Sequence, residues 1–266
     1  MISPSTEHHH RTTATRRQRE APERHLVADR RVASTAESSS MVRLFGRVRQ
    51  WVVGLYRDSV FPRVMNVLCN TKETRRIRAM VCAPLLGEVL EIGFGTGLNL
   101  PHLPPSVSRL LAVDPLQRGR DLAGERLAES HVVVEFVGLD GQSLQLDDDS
   151  VDAALSTWTL CTIPDARAAV SEIGRVLRRG GTFHFAEHGK APDSKVQKWQ
   201  DRLNGVQQRV ACGCNLNRDI PAIIEDAGLT ITSLDTFYAK GDPKIVGWTY
   251  QGTAQVAASN GDQPSD

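Results

Sequence analysis

Val89-Leu90-Glu91-Ile92-Gly93-Phe94-Gly95-Thr96-Gly97 is the stretch from which the rest of the chain can be read. Its first residues, from Glu88 to Ile92, read as a buried strand. Three alternating glycines follow, then a short helical segment ending near Pro101. Strand, glycine turn and helix in that order mark the carboxyl edge of an open α/β sheet, where ligands bind. Glycine lets the backbone turn tightly and come close to a ligand. By itself the pattern is weak, because dinucleotide loops look much the same.

Downstream, strands alternate with helices. Leu110–Val113 is a strand ending at Asp114-Pro115, followed by a helix from about Leu116 to Glu129. Val132–Phe136 and Val151–Ser156 are the next strands, with a helix from about Pro164 to Leu177. Arg179-Gly180-Gly181 reads as a turn before the strand Thr182–Ala186. Helices are expected over Ser194–Val210 and Ile220–Ala227, and final strands around Leu229–Phe237 and Ile245–Tyr250. Such alternation predicts a doubly wound, mostly parallel sheet with helices on both faces.

The loop's chemistry points away from dinucleotides. Its spacing is Gly-x-Gly-x-Gly, and the third glycine of a dinucleotide fingerprint would fall at Leu98 or Leu100. Glu91 also stands two residues before the first glycine. A carboxylate there opposes a pyrophosphate and favours a ligand with a cationic amino-acid end. S-adenosylmethionine (SAM) has both an ammonium and a sulfonium. Asp114 ends the second strand, where a carboxylate can accept from ribose hydroxyls. Asp140-Gly141-Gln142 follows the third strand, where an acid and a backbone N–H can read the adenine edge.

In this order the motifs resemble those of the class I SAM-dependent methyltransferases. The resemblance covers residues 85 to 190 and includes Ala112-Val-Asp-Pro115, Asp148-Asp-Ser-Val-Asp152 and Val176-Leu-Arg-Arg-Gly-Gly181. It implies a Rossmann-like, seven-stranded sheet with one antiparallel strand. It also implies a cofactor site in which Glu91 lies near the methionine end and Gly93, Gly95 and Gly97 wrap the ligand. Asp114 would hold the ribose, and Asp140, Gly141 and Gln142 would flank adenine. Thr157 and Trp158 would border the transferred methyl. Leu98-Asn-Leu-Pro101, Leu160-Cys161, Glu187-His188, Gly213-Cys-Asn-Leu-Asn-Arg218 and Ile245-Val-Gly-Trp-Thr-Tyr-Gln-Gly252 are further similar to thiol S-methyltransferases and their bacterial relatives. That narrower resemblance implies a small-molecule methyl acceptor, with a thiol favoured.

The remaining composition is plainer. The 266 residues carry a formal charge of +1 and 40% apolar residues, so no nucleic-acid partner is indicated. Residues 1 to about 40 are polar and aperiodic, which predicts a disordered arm, and Met41 reads as the true start. Residues 41–84 form an expected helical segment covering the active site. Its basic amphipathic stripe over 41–56 packs on the domain or makes weak membrane-surface contact, and Pro62 ends or bends it. A second helix spans about Lys72 to Met80. The methyltransferase domain is expected over 85–253, with a flexible tail over 254–266. Five irregularly spaced cysteines indicate a cytoplasmic setting. Cys212 and Cys214 flank one glycine with no zinc-ligand pair nearby, so no metal is expected.

On the acceptor side, a thiol must become a thiolate to attack, and a histidine can take that proton. His188, at the sheet's carboxyl edge beside Glu187, is the candidate base; a loop-satisfying histidine is the plainer alternative. Asn215 and Arg218 are candidates for orienting the acceptor, or belong to an ordinary connection in which Asp219 caps the next helix. His184 reads as core, and Cys161 and Cys214 as small buried hydrophobes. Two other functions stay open: an NAD-linked oxidoreductase, against which Glu91 and the missing glycine speak, and a SAM-binding protein without catalysis.

Overall fold

The computed structural model describes residues 54–256. The polar arm, most of the stripe from Met41 to Tyr56, and the end of the expected tail lie outside the described residues. Seven strands form one sheet: β1 Gly87–Ile92, β2 Val107–Val113, β3 Val133–Gly138, β4 Val151–Thr157, β5 Leu177–His188, β6 Leu229–Tyr238 and β7 Trp248–Val256. Their order is β3-β2-β1-β4-β5-β7-β6. Strands β1 to β5 pair in parallel, and β7 runs antiparallel to both β5 and β6. This is the doubly wound α/β class expected, with its single antiparallel strand.

The helices are α1 Phe61–Leu68, α2 Lys72–Cys82, α3 Gln117–Leu122, α4 Gly124–Glu129, α5 Ala166–Val176, α6 Ser194–Val210, α7 Ile220–Asp226 and the single turn α8 Lys244–Gly247. Caps set several starts. The Thr71 hydroxyl accepts from Thr74 N before α2, and Asp165 and Asp219 accept from Ala168 N and Ala222 N before α5 and α7.

Side chains alternate across the strands, and this alternation places the site. Leu90, Ile92, Leu111, Val113, Ala154, Phe183 and Phe185 face a core packed by α5 and α7. Val89, Leu110, Ala112, Ala153, Leu155 and Ala186 face the other core, packed by Ile77, Val81 and Cys82 of α2. Glu91, Thr157 and His188 share the parity of this second set, so all three belong to the face that α2 covers.

Four expectations need correction. The single helix over 116–129 is two, divided at Ala123, which is fully buried beneath Gly97, with helix-disfavouring Gly124 next. The turn at Arg179-Gly180-Gly181 is a bulge within β5, which pairs with β4 from Val151↔Leu177 and resumes at Ala153↔Thr182. Pro62 does not end its segment. A π-helical turn, Tyr56–Val60, runs directly into α1, and Pro62 follows it, so the missing N–H falls where the hydrogen-bond pattern changes from π to α. The last strand is displaced: Ile245 lies in α8, and β7 extends to Val256. Ala254 is fully buried between Phe183 and Ile231, so the expected tail begins too early.

Candidate functional site

Gly93, Gly95 and Gly97 all have positive φ, at +80°, +57° and +72°. They turn the chain at the end of β1, and Gly93 N donates to Val113 O at 2.8 Å. A Cβ on Gly93 would lie 2.0 Å from the Thr159 hydroxyl. On Gly95 it would meet only Gly93 O, at 3.8 Å, so the outer side of this turn is open to a ligand. Helix α3 approaches from beside it, since a Cβ on Gly119 would lie 2.5 Å from Gly95 O.

The carboxylate of Asp114 closes the loop. It accepts from Gly95 N and Leu116 N, both at 2.7 Å. Burial raises its pKa, against the pull of those two bonds. Both oxygens thus already serve the protein, and ribose hydroxyls would use their remaining lone pairs. Asp140 Oδ1 accepts from Gln142 N at 2.9 Å and from Gln142 Nε2 at 2.8 Å. Gln142 Oε1 in turn accepts from Asp165 N at 2.9 Å. Gly141 lies so close to Ile92 that a Cβ would sit 2.8 Å from its methyl. The Gln142 side chain is therefore committed to holding this turn.

At the other end of the loop lies a cluster that the sequence only partly announces. Glu91 is buried and accepts from Asn99 Nδ2 at 2.7 Å. Asn99 Nδ2 also reaches the Thr157 hydroxyl at 3.0 Å. Arg78 of α2, equally buried, donates from Nη1 to Asn99 Oδ1 and to Thr157 Oγ1, both at 2.7 Å. Its guanidinium stacks 4.8 Å from the centre of the Trp158 ring. Burial pushes Glu91 up to about 8. Two buried atoms in this cluster lack partners: Glu91 Oε2, an acceptor, and Arg78 Nε, a donor. Asn66 of α1 touches the same loop, its Oδ1 accepting from the Thr96 hydroxyl at 2.8 Å.

Arg78 was not singled out from the sequence, and Asn99 entered only within the Leu98-Asn-Leu-Pro101 motif, with no role of its own. Arg78 stands in Lys72–Cys82 among other arginines and looks like a solvated charge; its helix phase with Ile77 and Val81 was the available signal. Trp158 adopts φ +50°, a strained value for a bulky residue and of the kind that concentrates at functional sites.

Beyond Trp158, the loop after β4 is held from below and from the side. Glu187 is fully buried, which raises its pKa, and it accepts from Ser156 Oγ at 2.8 Å and Thr159 N at 2.9 Å. Asn215 N and Nδ2 both donate to Cys161 O, at 2.8 and 3.0 Å. Its Oδ1 accepts from Gln208 at 2.6 Å and Asn204 at 3.3 Å. Arg218 binds three carbonyls of the loop: Leu160 O, Ile163 O at 2.6 Å and Pro164 O at 3.1 Å. Asn215 and Arg218 therefore meet the β4 loop with their polar atoms.

His188 Nε2 lies 3.0 Å from Cys214 Sγ, and its Nδ1 is buried without a partner. Cys214 Sγ is 3.8 Å from Cys161 Sγ, and that hydrogen bond together with burial pushes the Cys214 thiol well up. His184 lies elsewhere on β5, between the Thr182 and Thr253 hydroxyls, and burial lowers it to about 4. Surface depressions along Leu127–Phe136 and Glu225–Thr230 touch none of these residues.

Residues 90–185 match the family model described as a methyltransferase domain. Human thiol S-methyltransferase TMT1B is 32% identical over 184 residues, which is 64% of this chain and 75% of that protein. The chain belongs to the class I SAM-dependent methyltransferases. Human thiol S-methyltransferase TMT1A is 34% identical over 155 residues, or 57% of this chain; the match spans only 63% of TMT1A. Among solved structures, the [4+2]-cyclase SpnF superposes with a TM-score of 0.55 at 20% identity, over 69% of this chain and 81% of its own. A cyclase on the same fold means that this methyltransferase's chemistry has to be argued from its site.

Proposed function

We propose that this methyltransferase binds SAM along the carboxyl edge of β1, β2 and β4 and transfers its methyl group to a small-molecule thiol. The observation that carries the cofactor half is the pair of partnerless buried atoms, Glu91 Oε2 and Arg78 Nε. An α-amino acid end fits that pair, with its ammonium on Glu91 and its carboxylate on Arg78. Leaving both atoms buried and unpaired costs roughly 1–3 kcal/mol each, which binding would recover. Gly93, Gly95 and Gly97 would let the ligand lie against the backbone. Asp114 would take the ribose, with Asp140, Gly141 and Gln142 beside adenine and Thr157 near the methyl. SAM supplies an electrophilic methyl on a sulfonium whose departure needs no proton.

The chain's own work is then positioning and control of one proton. Thr157, Asn99 and Arg78 fix the strand end and Trp158, so an acceptor can be aligned with the methyl; orientation of this kind supplies much of the acceleration. On the acceptor side, His188 promotes loss of the thiol proton, and as a free imidazole would take it. Asn215 and Arg218 orient the acceptor through the loop they bind rather than by touching it. Thiol as the acceptor class is supported by the likeness to proteins named thiol S-methyltransferases. All five cysteines are free of disulfides, which supports a cytoplasmic setting. Among the described residues no helix is long and apolar enough to cross a membrane.

Calorimetry with SAM and with NAD, followed by an acceptor screen read as S-adenosylhomocysteine release, tests the reading. Tight SAM binding and turnover with small alkanethiols are expected. Preference for NAD, or turnover confined to amines and phenols, would overturn the corresponding half.

A further inference from the structure

Cys161, His188 and Cys214 come from the loop after β4, the end of β5 and the loop after α6. Their ligating atoms nevertheless lie within 4.8 Å of one another. We infer that these three side chains hold a zinc-like divalent ion whose fourth position receives the acceptor thiol. Two thiolates and an imidazole form a soft donor set of the kind zinc takes, and three protein ligands with one open position is the catalytic pattern.

Two edges of the triangle are close to what such an ion needs, and the third, between His188 and Cys161, lies within 4.8 Å and shortens by about 1.3 Å as the ion draws the ligands together. With Zn–S near 2.3 Å and Zn–N near 2.0–2.1 Å, a tetrahedral site sets its sulfurs about 3.8 Å apart and sulfur from nitrogen about 3.5 Å. The Cys161–Cys214 edge is already 3.8 Å. The His188–Cys214 contact is 3.0 Å and opens by about half an ångström when the ion replaces the shared proton. The ligands are also held in advance. Asn215 joins the Cys161 loop to the Cys214 loop through two bonds to Cys161 O. Gly213, at φ +101°, makes the turn that presents Cys214. The Arg218 guanidinium binds carbonyls of the Cys161 loop and so fixes its course.

The site lies beside the proposed cofactor pocket, since Cys161 is three residues beyond Trp158, whose ring stacks on Arg78, and Glu187, adjacent to His188, accepts from Ser156 Oγ and Thr159 N. This gives the open position a use, which rests on the thiol reading above. An acceptor thiol displaces water from the ion; its S–H bond breaks, the proton passes to solvent, and the metal–sulfur bond forms. The thiolate's electron pair then makes the new S–CH3 bond. The sulfonium's S–CH3 bond breaks at the same time, its pair staying on the departing thioether. The methylated product, a neutral thioether, leaves the ion and water returns. His188 in this account holds the ion, and the thiol proton is lost by coordination.

The test is cobalt(II) and zinc titration of the reduced, full-length, untagged protein. About one equivalent of zinc and a near-ultraviolet thiolate-to-cobalt charge-transfer band are expected. Imidazoles at His8, His9 and His10 cannot produce that band. Cys161→Ser and Cys214→Ser should lower bound zinc to below about a tenth of an equivalent while SAM still raises the melting temperature. Chelation and re-addition of metal to the unaltered protein provides the same comparison without any variant. Ethanethiol should shift the cobalt spectrum. Absence of the charge-transfer band, or a reversible Cys161–Cys214 disulfide in a protein that binds no metal when reduced, overturns the site. A cobalt band that ethanethiol leaves unchanged overturns only the fourth-position role. A normal cobalt spectrum without SAM binding overturns the proposed function and leaves the metal site standing.

Discussion

Glu91 and Arg78 show how much a single position depends on what surrounds it. A glutamate at the end of an apolar strand could be a solvated loop residue, but here it is buried with one oxygen unpaired. Its substitution has two opposed effects. Glu91→Gln removes the ammonium's counter-charge and should weaken SAM binding by roughly 2 kcal/mol or more, about thirtyfold, measured by calorimetry. The same change should stabilise the unliganded protein at alkaline pH. Folding raises the Glu91 pKa from an ordinary 4.5 to about 8, so its contribution is full below 4.5 and is lost as pH rises through 8. The melting temperature of Glu91→Gln relative to the unaltered protein should therefore rise by at least about 2 °C between pH 5 and pH 8. A difference that stays constant with pH would mean that Glu91 does not hold its proton in the fold. Arg78→Gln should weaken SAM about tenfold or more through loss of the carboxylate contact. An unchanged dissociation constant would remove Arg78 from the site.

At the level of elements, the glycine turn and the β4 loop answer to different constraints. Gly93→Ala forces a Cβ into Thr159, whereas Gly95→Ala places one in open space and carries only the strain of φ +57°. Gly95→Ala should cost about 1–2 kcal/mol of stability yet abolish most SAM binding, because the Cβ occupies the ligand's side of the turn. Gly93→Ala should cost clearly more stability, measured by urea unfolding. Equal losses for the two would contradict the assigned faces. Asn215 supports a connection between loops: Asn215→Ala removes bonds to Cys161 O and frees the β4 loop. It should lower kcat at least tenfold while the SAM dissociation constant changes less than about twofold. Parallel loss of both would place Asn215 in the cofactor pocket. The helices follow a similar division. Ser194–Val210 is legible from its own periodicity, whereas the break in the helix over 116–129 depends on α3 having to pass the glycine loop at Gly119.

For the whole molecule, β7 is the element that joins β6 to β5 and so to the parallel part of the sheet, through ladders from His188↔Thr249 to Thr182↔Gln255 on one side and Tyr238↔Trp248 to Leu229↔Val256 on the other. Ending the chain after Gly252 strips the last pairs from both ladders. It should cost on the order of 3 kcal/mol at about 1 kcal/mol per ladder hydrogen bond, or a melting temperature lower by roughly 6–12 °C. An unaltered melting curve would show that these pairs contribute nothing. The sequence by itself determined the sheet's class, the succession of strands β1 to β5 along the chain and the ligand loop, because alternation of apolar strands with amphipathic helices and a glycine turn are local signals. It reached Glu91, Asp114 and the Asp140 turn for the same reason: each follows directly on a strand end or a turn. The second half of β7 escaped it, because Gly252 to Gln255 are small or polar and become strand only when paired on both sides. Arg78 escaped it as well, since a buried arginine and a solvated one look alike until the helix is docked. The cluster of Cys161, His188 and Cys214 exists only in three dimensions. Its members are 53 and 26 positions apart, and no spacing rule joins them; the crossing of two loops at the carboxyl edge of β5 does. The glycine loop, proposed to take SAM, is thus local in origin, whereas the cluster proposed to take the acceptor is brought together only by tertiary packing.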